Sequence, residues 1–164
     1  MRDKSSIGRT EHEVELEKAA LAAFTGRLGQ TNTEHERLAV TLHRLTDMCL
    51  ELESNRNVID PGPLVTEFEL ELWKHFTAEE ADDYFGAIAR ERPALLARVS
   101  ELRAEHSAML GTASELAVIA VDPRRRRDLV SPTRRLIFEL RAHEDKENRL
   151  MQEFVQRDEG ESQD

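Results

Sequence analysis

Histidine and glutamate occur four residues apart at two places in this sequence, a spacing that is suited to metal binding. His75 is followed by Glu79, and His143 is followed by Glu147. On an α-helix this separation places both side chains on one face, about one turn apart. An imidazole nitrogen and a carboxylate oxygen can then reach the same metal centre, and these ligands suit iron, manganese or zinc. The single cysteine, Cys49, excludes a CxxC motif, so histidine and carboxylate side chains must hold any metal.

The elements that carry these pairs are predicted to be helices. Apolar residues recur every three and four positions and strand-like alternation is absent, so the sequence predicts an all-α fold. Helix breakers divide the chain into five helical stretches and lie at 26–33, 54–63, 90–93 and 121–132. The last four stretches have short connections and predict an up-down-up-down four-helix bundle over residues 31–156. Residues 1–30 are predicted to form an N-terminal helical arm, and residues 157–164 a disordered acidic tail.

Each bundle helix has one apolar stripe at heptad spacing, and a histidine interrupts every stripe. In chain order the stripes are His35, Leu38, Leu42, Leu45, Cys49 and Leu52; Leu64, Phe68, Leu72, His75 and Glu79; Leu95, Val99, Leu102, His106, Met109, Ala113 and Leu116; Leu136, Leu140, His143, Glu147, Leu150 and Phe154. An ionisable group buried on such a seam without a partner costs several kcal/mol. The shared feature predicts one metal site, with these candidate ligands: His35, His75, Glu79, His106, His143 and Glu147.

The positions of the histidines along their helices support a common level. At about 1.5 Å per residue, antiparallel neighbours bring His106 and His143 within about one turn of each other. His75 reaches a similar height if its helix continues to the break at Pro93. His35 fits this level less well, because it lies at the very start of its helix.

Two interpretations without a metal compete with this site. A histidine on an apolar face is often a core residue bonded to the backbone. Alternatively, Glu79 and Glu147 lie at the edge of the bundle and form ion pairs, with Arg103 or Arg149 as partners.

Several polar residues near the seams are not assigned to the site. His43 lies one step off its stripe and His12 lies in the N-terminal arm, so both are predicted on the surface. Tyr84, nine residues after His75, is predicted to point away from the seam unless the helix is distorted. Four acids neighbour the seam, and for each a solvated position is favoured over a ligand role: Glu80, Glu101, Glu105 and Glu144.

Four segments of the chain resemble, in order, the bacterial hemerythrin-like family of HHE cation-binding domains. The segments are EHERLAVTLHRL with His35, HFTAEEADDYF with His75 and Glu79, ELRAEHSAML with His106, and HEDKENRLMQEF with His143 and Glu147. The resemblance covers about residues 31–156. It implies a centre of two non-haem irons, with the four histidines as ligands and the two glutamates as bridging carboxylates. Manganese and zinc are the alternative metals.

The chain departs from the oxygen-carrying hemerythrins at two positions. They have a second histidine four residues before the one in the third helix, where this chain has Leu102. They have His-x4-Asp in the last helix, where this chain has Glu147 followed by Asn148. The missing imidazole implies an open position on one metal. This open position argues against reversible oxygen carriage and favours sensing, peroxide chemistry or iron handling. The first interpretation from the resemblance is a di-iron protein that binds, senses or scavenges oxygen or nitric oxide. The alternatives are a di-iron enzyme of the ferroxidase or peroxide-consuming type, and a metal-free helical interaction module.

Composition and charge bear on partners and location. The formal net charge of −10 is expected to repel nucleic acid and anionic lipid. The contrary run Arg124 to Arg127 is interpreted as a solvated basic loop rather than a phosphate contact. No apolar run approaches the ~20 residues that span a bilayer, and the first residues do not resemble a signal peptide, so a cytoplasmic location is expected. The N-terminal helix is a packed arm or, alternatively, the interface of a homodimer.

Overall fold

The computed structural model describes residues 33–54, 60–81 and 84–156, and all regular secondary structure in these ranges is helical. The prediction of an all-α fold is confirmed. The α-helices are α1 over 33–53, α2 over Gly62–Glu79, α3 over Phe85–Glu91, α4 over Leu96–Ala120 and α5 over Val130–Gln156. Short 3₁₀ segments over Pro93–Leu95 and Pro123–Leu129 lead into α4 and α5. The predicted N-terminal arm with His12 and the predicted tail over 157–164 lie outside the described residues.

Prolines and a capping aspartate mark where the helices begin. Pro63 lies in the first turn of α2, where the fixed φ of proline and its missing N–H are tolerated. Pro93 begins the 3₁₀ segment before α4, and Pro132 lies in the first turn of α5. Between these two helices the side chain of Asp122 accepts a hydrogen bond from the backbone N–H of Arg124 at 3.0 Å. These residues lie within or next to the ranges where the sequence predicts breaks between helical stretches.

The prediction of one continuous helix between residues 64 and 89 is wrong. Helix α2 ends at Glu79, and a separate short helix, α3, begins at Phe85. The intervening sequence contains Asp82 and Asp83, and aspartate is a poor helix former. Because α2 ends at Glu79 and Tyr84 precedes a separate helix, Tyr84 does not point away from the seam. Its side chain is buried and enters the interior of the protein.

Side-chain contacts show that neighbouring long helices run in opposite directions. From α1 to α2, Thr41 contacts Glu71 and Arg44 contacts Glu67, so one number rises as the other falls. Helices α1 and α5 show the same inverse order, since Glu53 lies near Arg134 and His35 near Glu147. In α2 and α4, Glu69 lies near Ser114 and Glu79 near His106. In α4 and α5, Arg98 lies near Glu153 and His106 near His143. The antiparallel order brings the four histidines from different parts of the chain to one level.

Buried apolar side chains in the described ranges form two clusters, with the polar candidate ligands between them. The larger cluster contains residues of α1 and α2, the C-terminal half of α4 and the N-terminal half of α5. The smaller cluster consists of Tyr84, Phe85, Ile88, Leu95, Val99, Leu102, Leu150 and Phe154. On α4, for example, Leu102 belongs to the smaller cluster and Met109 to the larger one, and His106 lies between them. The ionisable layer is thus enclosed by apolar packing on both sides.

The basic run Arg124 to Arg127 lies within the second 3₁₀ segment, and nearby acids pair with it. Arg124 lies 3.5 Å from Asp122, and Arg125 lies 3.1 Å from Asp128. Arg126 lies 3.4 Å from Asp60, just before α2. These arginines therefore form ion pairs with acids of the same protein.

None of the helices in the part of the chain that the structure describes has the length and apolar character needed to cross a membrane.

Candidate metal centre

The structure brings all six predicted metal-ligand residues into the layer between the two apolar clusters. They come from four helices and are His35 on α1, His75 and Glu79 on α2, His106 on α4, and His143 and Glu147 on α5. All except His35 are between 1% and 3% exposed. The side chain of His35 is 31% exposed, and it forms the edge of the layer towards the start of α1.

These residues form two groups of metal-binding atoms that share one carboxylate. The first, which we call the His35 group, contains His35, His75, Glu79 and Glu147. The second, the His143 group, contains Glu79, His106 and His143. Within each group, one ligand atom per residue lies within 4.8 Å of every other. Each of these adjacent sets of donors could hold a metal ion, and the two sets are joined by Glu79.

The two carboxylate oxygens of Glu79 face different groups. Its Oε1 lies 2.8 Å from Nε2 of His75 and 3.8 Å from Nε2 of His35. Its Oε2 lies 3.3 Å from Nε2 of His106. A carboxylate can bind one metal through each oxygen, so Glu79 offers one oxygen to each group. Burial would raise the pKa of Glu79, but the contacts with His106 and His75 outweigh it and lower that pKa. The lowered pKa favours the ionised form of Glu79, which is the form that binds a cation.

Glu79 and His75 are incompletely satisfied without a cation. Both oxygens of Glu79 and both ring nitrogens of His75 are buried and have no hydrogen-bond partner among the described residues. The 2.8 Å contact between them has the distance of an ion pair, but the two groups are not aligned for a hydrogen bond. A buried polar group without a partner costs about 1–3 kcal/mol, and a charged one more. Metal coordination satisfies these atoms, so the residues present fit a bound metal.

His106 and His143 give a second indication that a cation belongs here. Their Nε2 atoms lie 2.9 Å apart. The Nδ1 atom of His106 lies 2.8 Å from a Glu80 oxygen, and that of His143 lies 2.9 Å from a Glu105 oxygen. When each Nδ1–H donates to its carboxylate, each neutral ring has only a lone pair at Nε2. Two lone pairs that face each other repel, whereas a cation held by both nitrogens removes the repulsion.

Glu80 and Glu105 are functional residues whose role the sequence analysis did not assign. It favoured a solvated position for both, and their side chains are 41% and 32% exposed. Each nevertheless contacts Nδ1 of a histidine, as carboxylates near metal sites commonly do, and a carboxylate there favours the tautomer with the proton on Nδ1. Partial burial would raise the pKa of Glu105, but Lys146 and His143 outweigh it and lower that pKa. Glu105 thus stays ionised and links the lysine to the histidine.

Tyr84 is a further residue of the site that the sequence analysis missed. Its hydroxyl donates a hydrogen bond to Oε1 of Glu147 at 2.8 Å. Burial and the charge of Glu79 raise the pKa of Glu147, and the bond from Tyr84 offsets this only in part. Burial and the same two carboxylates raise the pKa of Tyr84 as well. In the metal-free protein the pair Glu79 and Glu147 therefore favours one ionised and one protonated carboxyl group. The aspartates before Tyr84 were the one sequence signal for its position.

The remaining polar residues near the seams have lesser roles in the geometry. Glu144 is half-buried, and burial raises its pKa while His75 lowers it. Glu101 is exposed on α4. His43 is exposed on α1, 3.7 Å from Asp47, in agreement with the predicted surface position. None of these three belongs to either group of candidate ligands.

A cavity of about 100 Å³ lies between α4 and α5, about one turn from the ligand layer. Its lining residues are Arg98, Glu101, Leu102, Lys146, Arg149 and Leu150. Leu102 lines this cavity and lies one turn before His106 on the same buried face. Leu102 is also a member of the smaller apolar cluster, so it belongs both to the wall of this cavity and to the packing beside the ligand layer.

Comparisons place no known protein beside this geometry. The chain matches no protein-family model, no curated protein and no solved structure.

Proposed function

We propose that this chain is a hemerythrin-like protein that holds two non-haem irons and binds oxygen or nitric oxide. The observation that carries the proposal is the pair of donor groups that share Glu79. The four long helices are proposed to form an up-down-up-down bundle, and the inverse order of their contacts supports it. The resemblance of residues 31–156 to the hemerythrin-like family is the reason to prefer iron over manganese or zinc.

Each group of donors has a distinct proposed role. The His35 group would hold one iron with four side chains, and the His143 group would hold the other with three. Among the described residues, the His143 group has no fourth ligand, and its helix carries Leu102 one turn before His106. The second iron therefore has room for a ligand from outside the protein. When bound, such a centre supplies the electrons and the coordination position that a small diatomic ligand needs.

The surrounding side chains prepare the layer for this role. Glu80 and Glu105 hold His106 and His143 with Nε2 directed inward. The apolar clusters on both sides keep bulk water away from the layer, which strengthens the interaction of the carboxylates with a cation. The protein thereby orients the histidine ligands, supplies negative charge and excludes water from the layer.

Metal analysis of the purified protein tests the proposal. Apoprotein is loaded with ferrous iron under anaerobic conditions, desalted and analysed. We expect about two irons per chain and new near-ultraviolet absorption when oxygen or nitric oxide is added. One iron per chain would favour a mononuclear site. Trace iron at most would favour the metal-free helical module and overturn the proposal.

Oxidation of ferrous iron is a second candidate function, and the half-exposed carboxylates favour it. Glu80 and Glu105 connect the buried layer to the surface, and both contact a histidine of the His143 group. Carboxylates in this position can pass ferrous ions inward. Continued oxygen consumption after more than two ferrous ions per chain have been added would favour the enzyme. Consumption that stops at two would favour the binding protein.

A further inference from the structure

The side chain of Tyr84 enters the ligand layer from the turn before α3. It is 3% exposed, and its ring lies 5.2 Å from that of Phe85 within the smaller cluster. Its hydroxyl is directed at Glu147 Oε1, 2.8 Å away. Tyr84 is the N-cap residue of α3, whereas Glu147 is on α5. The contact therefore depends on the break between α2 and α3.

The two oxygens of Glu147 have different surroundings. Oε2 lies 4.0 Å from Nε2 of His35, on the side of the His35 group. Oε1 accepts the hydrogen bond from Tyr84. Glu147 accordingly belongs to the His35 group alone, whereas Glu79 belongs to both groups. The family resemblance implies two bridging glutamates, but here only Glu79 has a free oxygen for each group.

We propose that Tyr84 is a positioning residue that holds Glu147 as a ligand of one metal and prevents it from bridging. This inference rests on the proposed function, because it concerns the same pair of metals. An oxygen that accepts a buried hydrogen bond from a phenol is less available to a cation. The metal in the His143 group then keeps three protein ligands and an open position for a small anion or a diatomic molecule.

The hydroxyl group can be removed without disturbing the surrounding packing. Tyr84→Phe keeps the ring in the smaller cluster and deletes only the donor to Glu147. The freed Oε1 can then turn towards the second metal and occupy the open position. We expect iron content to stay at about two per chain and the affinity of the diferric protein for azide to fall about tenfold. The Mössbauer spectra of the two ferric sites should become more alike.

Ser107→Ala is the matched control. It also deletes one hydroxyl group close to a ligand, but Ser107 bonds to the backbone oxygen of Arg103 on the exposed face of α4. We expect its azide affinity to equal that of the parent. A general loss of structure would lower iron content and azide affinity together, whereas the positioning role predicts a change in azide affinity at an unchanged iron content.

Three results would overturn the inference. If the parent holds two irons and Tyr84→Phe binds azide as the parent does, the positioning role is wrong while the proposed function stands. If the parent shows visible absorption of a phenolate bound to ferric iron, and Tyr84→Phe lacks it, Tyr84 is a metal ligand. If the parent holds fewer than two irons, the proposed function and this inference fail together.

Discussion

His106 and His143 present their Nε2 atoms to each other at 2.9 Å, and a carboxylate from a different element holds each ring in that orientation. Glu80, at the end of α2, contacts Nδ1 of His106 on α4. Glu105 on α4 contacts Nδ1 of His143 on α5. When both Nδ1–H groups donate to these carboxylates, two Nε2 lone pairs face each other inside the layer. Such contacts favour a bound cation before any cation has entered.

Substitutions at the candidate ligands should remove metal unequally. Glu79 is shared, so Glu79→Gln should reduce iron from about two per chain to near zero. Glu147→Gln should weaken the iron of the His35 group, and His143→Ala that of the His143 group, so each should retain about one. Metal analysis after equilibration with a weak chelator measures the difference. Equal loss in Glu79→Gln and Glu147→Gln would contradict the single bridge.

The metal-free stability of Glu147→Gln should move in the opposite direction to its metal binding. Because the pKa of Glu147 is raised, the folded protein keeps a proton that the unfolded chain releases above about pH 4.3. The contribution of Glu147 to the free energy of unfolding is therefore fully present below that pH, and it is lost as the pH rises towards the pKa in the folded protein. Glutamine does not ionise, and its carbonyl oxygen can still accept the bond from Tyr84.

We therefore expect metal-free Glu147→Gln to exceed the parent in free energy of unfolding by about 1–2 kcal/mol near neutral pH. The advantage should shrink towards pH 5. Urea denaturation in the presence of chelator, at pH 5, 7 and 8, provides the measurement. A variant that is less stable than the parent at all three pH values would show that Glu147 is not a strained carboxylate in the metal-free fold.

Glu80 and Glu105 should affect metal affinity without being ligands. Glu105→Gln removes the charge that fixes His143, and Glu80→Gln does the same for His106, so each should lower affinity about 10- to 100-fold. Glu101→Gln is the control, since Glu101 is exposed on the same helix as Glu105 and belongs to neither donor group. Competition with a coloured chelator reports the affinities. The prediction fails if all three variants bind equally well.

Leu102→His should close the open position of the second metal. Leu102 is buried one turn before His106, so a histidine there can offer a further imidazole to the His143 group. We expect iron content to be kept and azide affinity to fall about tenfold or more. Leu102→Asn is the control, because it introduces a polar side chain of similar size that has no imidazole. Its azide affinity should not fall in this way. Identical azide binding by both variants would show that an imidazole at position 102 does not reach the second metal.

Replacing His35 and replacing His43 should affect iron content differently, although both residues lie on α1. His35→Ala removes a donor of the His35 group and should lower iron content to about one per chain. His43→Ala should leave it unchanged, because that side chain is 80% exposed and lies beside Asp47. Parallel metal analysis of the two variants makes the comparison. If His43→Ala loses iron and His35→Ala does not, the assignment of His35 as the histidine ligand on α1 is wrong.

The apolar periodicity of the sequence predicted the helices and most of their buried faces. Every predicted stripe residue of α4 and α5 that lies in these helices is buried. On α2 the periodicity was less decisive, since Val65 is buried where Leu64 was predicted, and Leu64 is only partly buried. Heptad spacing alone does not determine which of two adjacent apolar residues faces the core at the start of a helix.

One error in the predicted helices accounts for two discrepancies at the site. The sequence predicted that the second bundle helix ends near Pro93. On that prediction His75 lies well inside its helix, whereas His35 lies at the start of its own helix and does not match the level of His75. Since α2 ends at Glu79, the ligand layer lies at the end of α2 and at the start of α1. His35 is then at the correct level, and Tyr84 is free to turn inward.

The contacts of Glu80 and Glu105 could not be predicted from periodicity. Both residues lie beside a seam rather than on it, and their flexible side chains reach a histidine on another helix. The pattern of one helix contains no information about such a contact. It depends on the distance and rotation between two helices, which only the assembled fold determines.

The smaller apolar cluster has a consequence for how fast metal is exchanged. It includes α3, a helix of seven residues, which is too short to be stable when detached from its neighbours. Opening this end breaks fewer apolar contacts than global unfolding, because the larger cluster remains packed. We expect the amides of α3 to exchange hydrogen with solvent faster than those in the middle of α2. The rate at which a strong chelator removes the metal should then follow the opening rate of α3, and the protein should release and reload its metal while most of the chain stays folded.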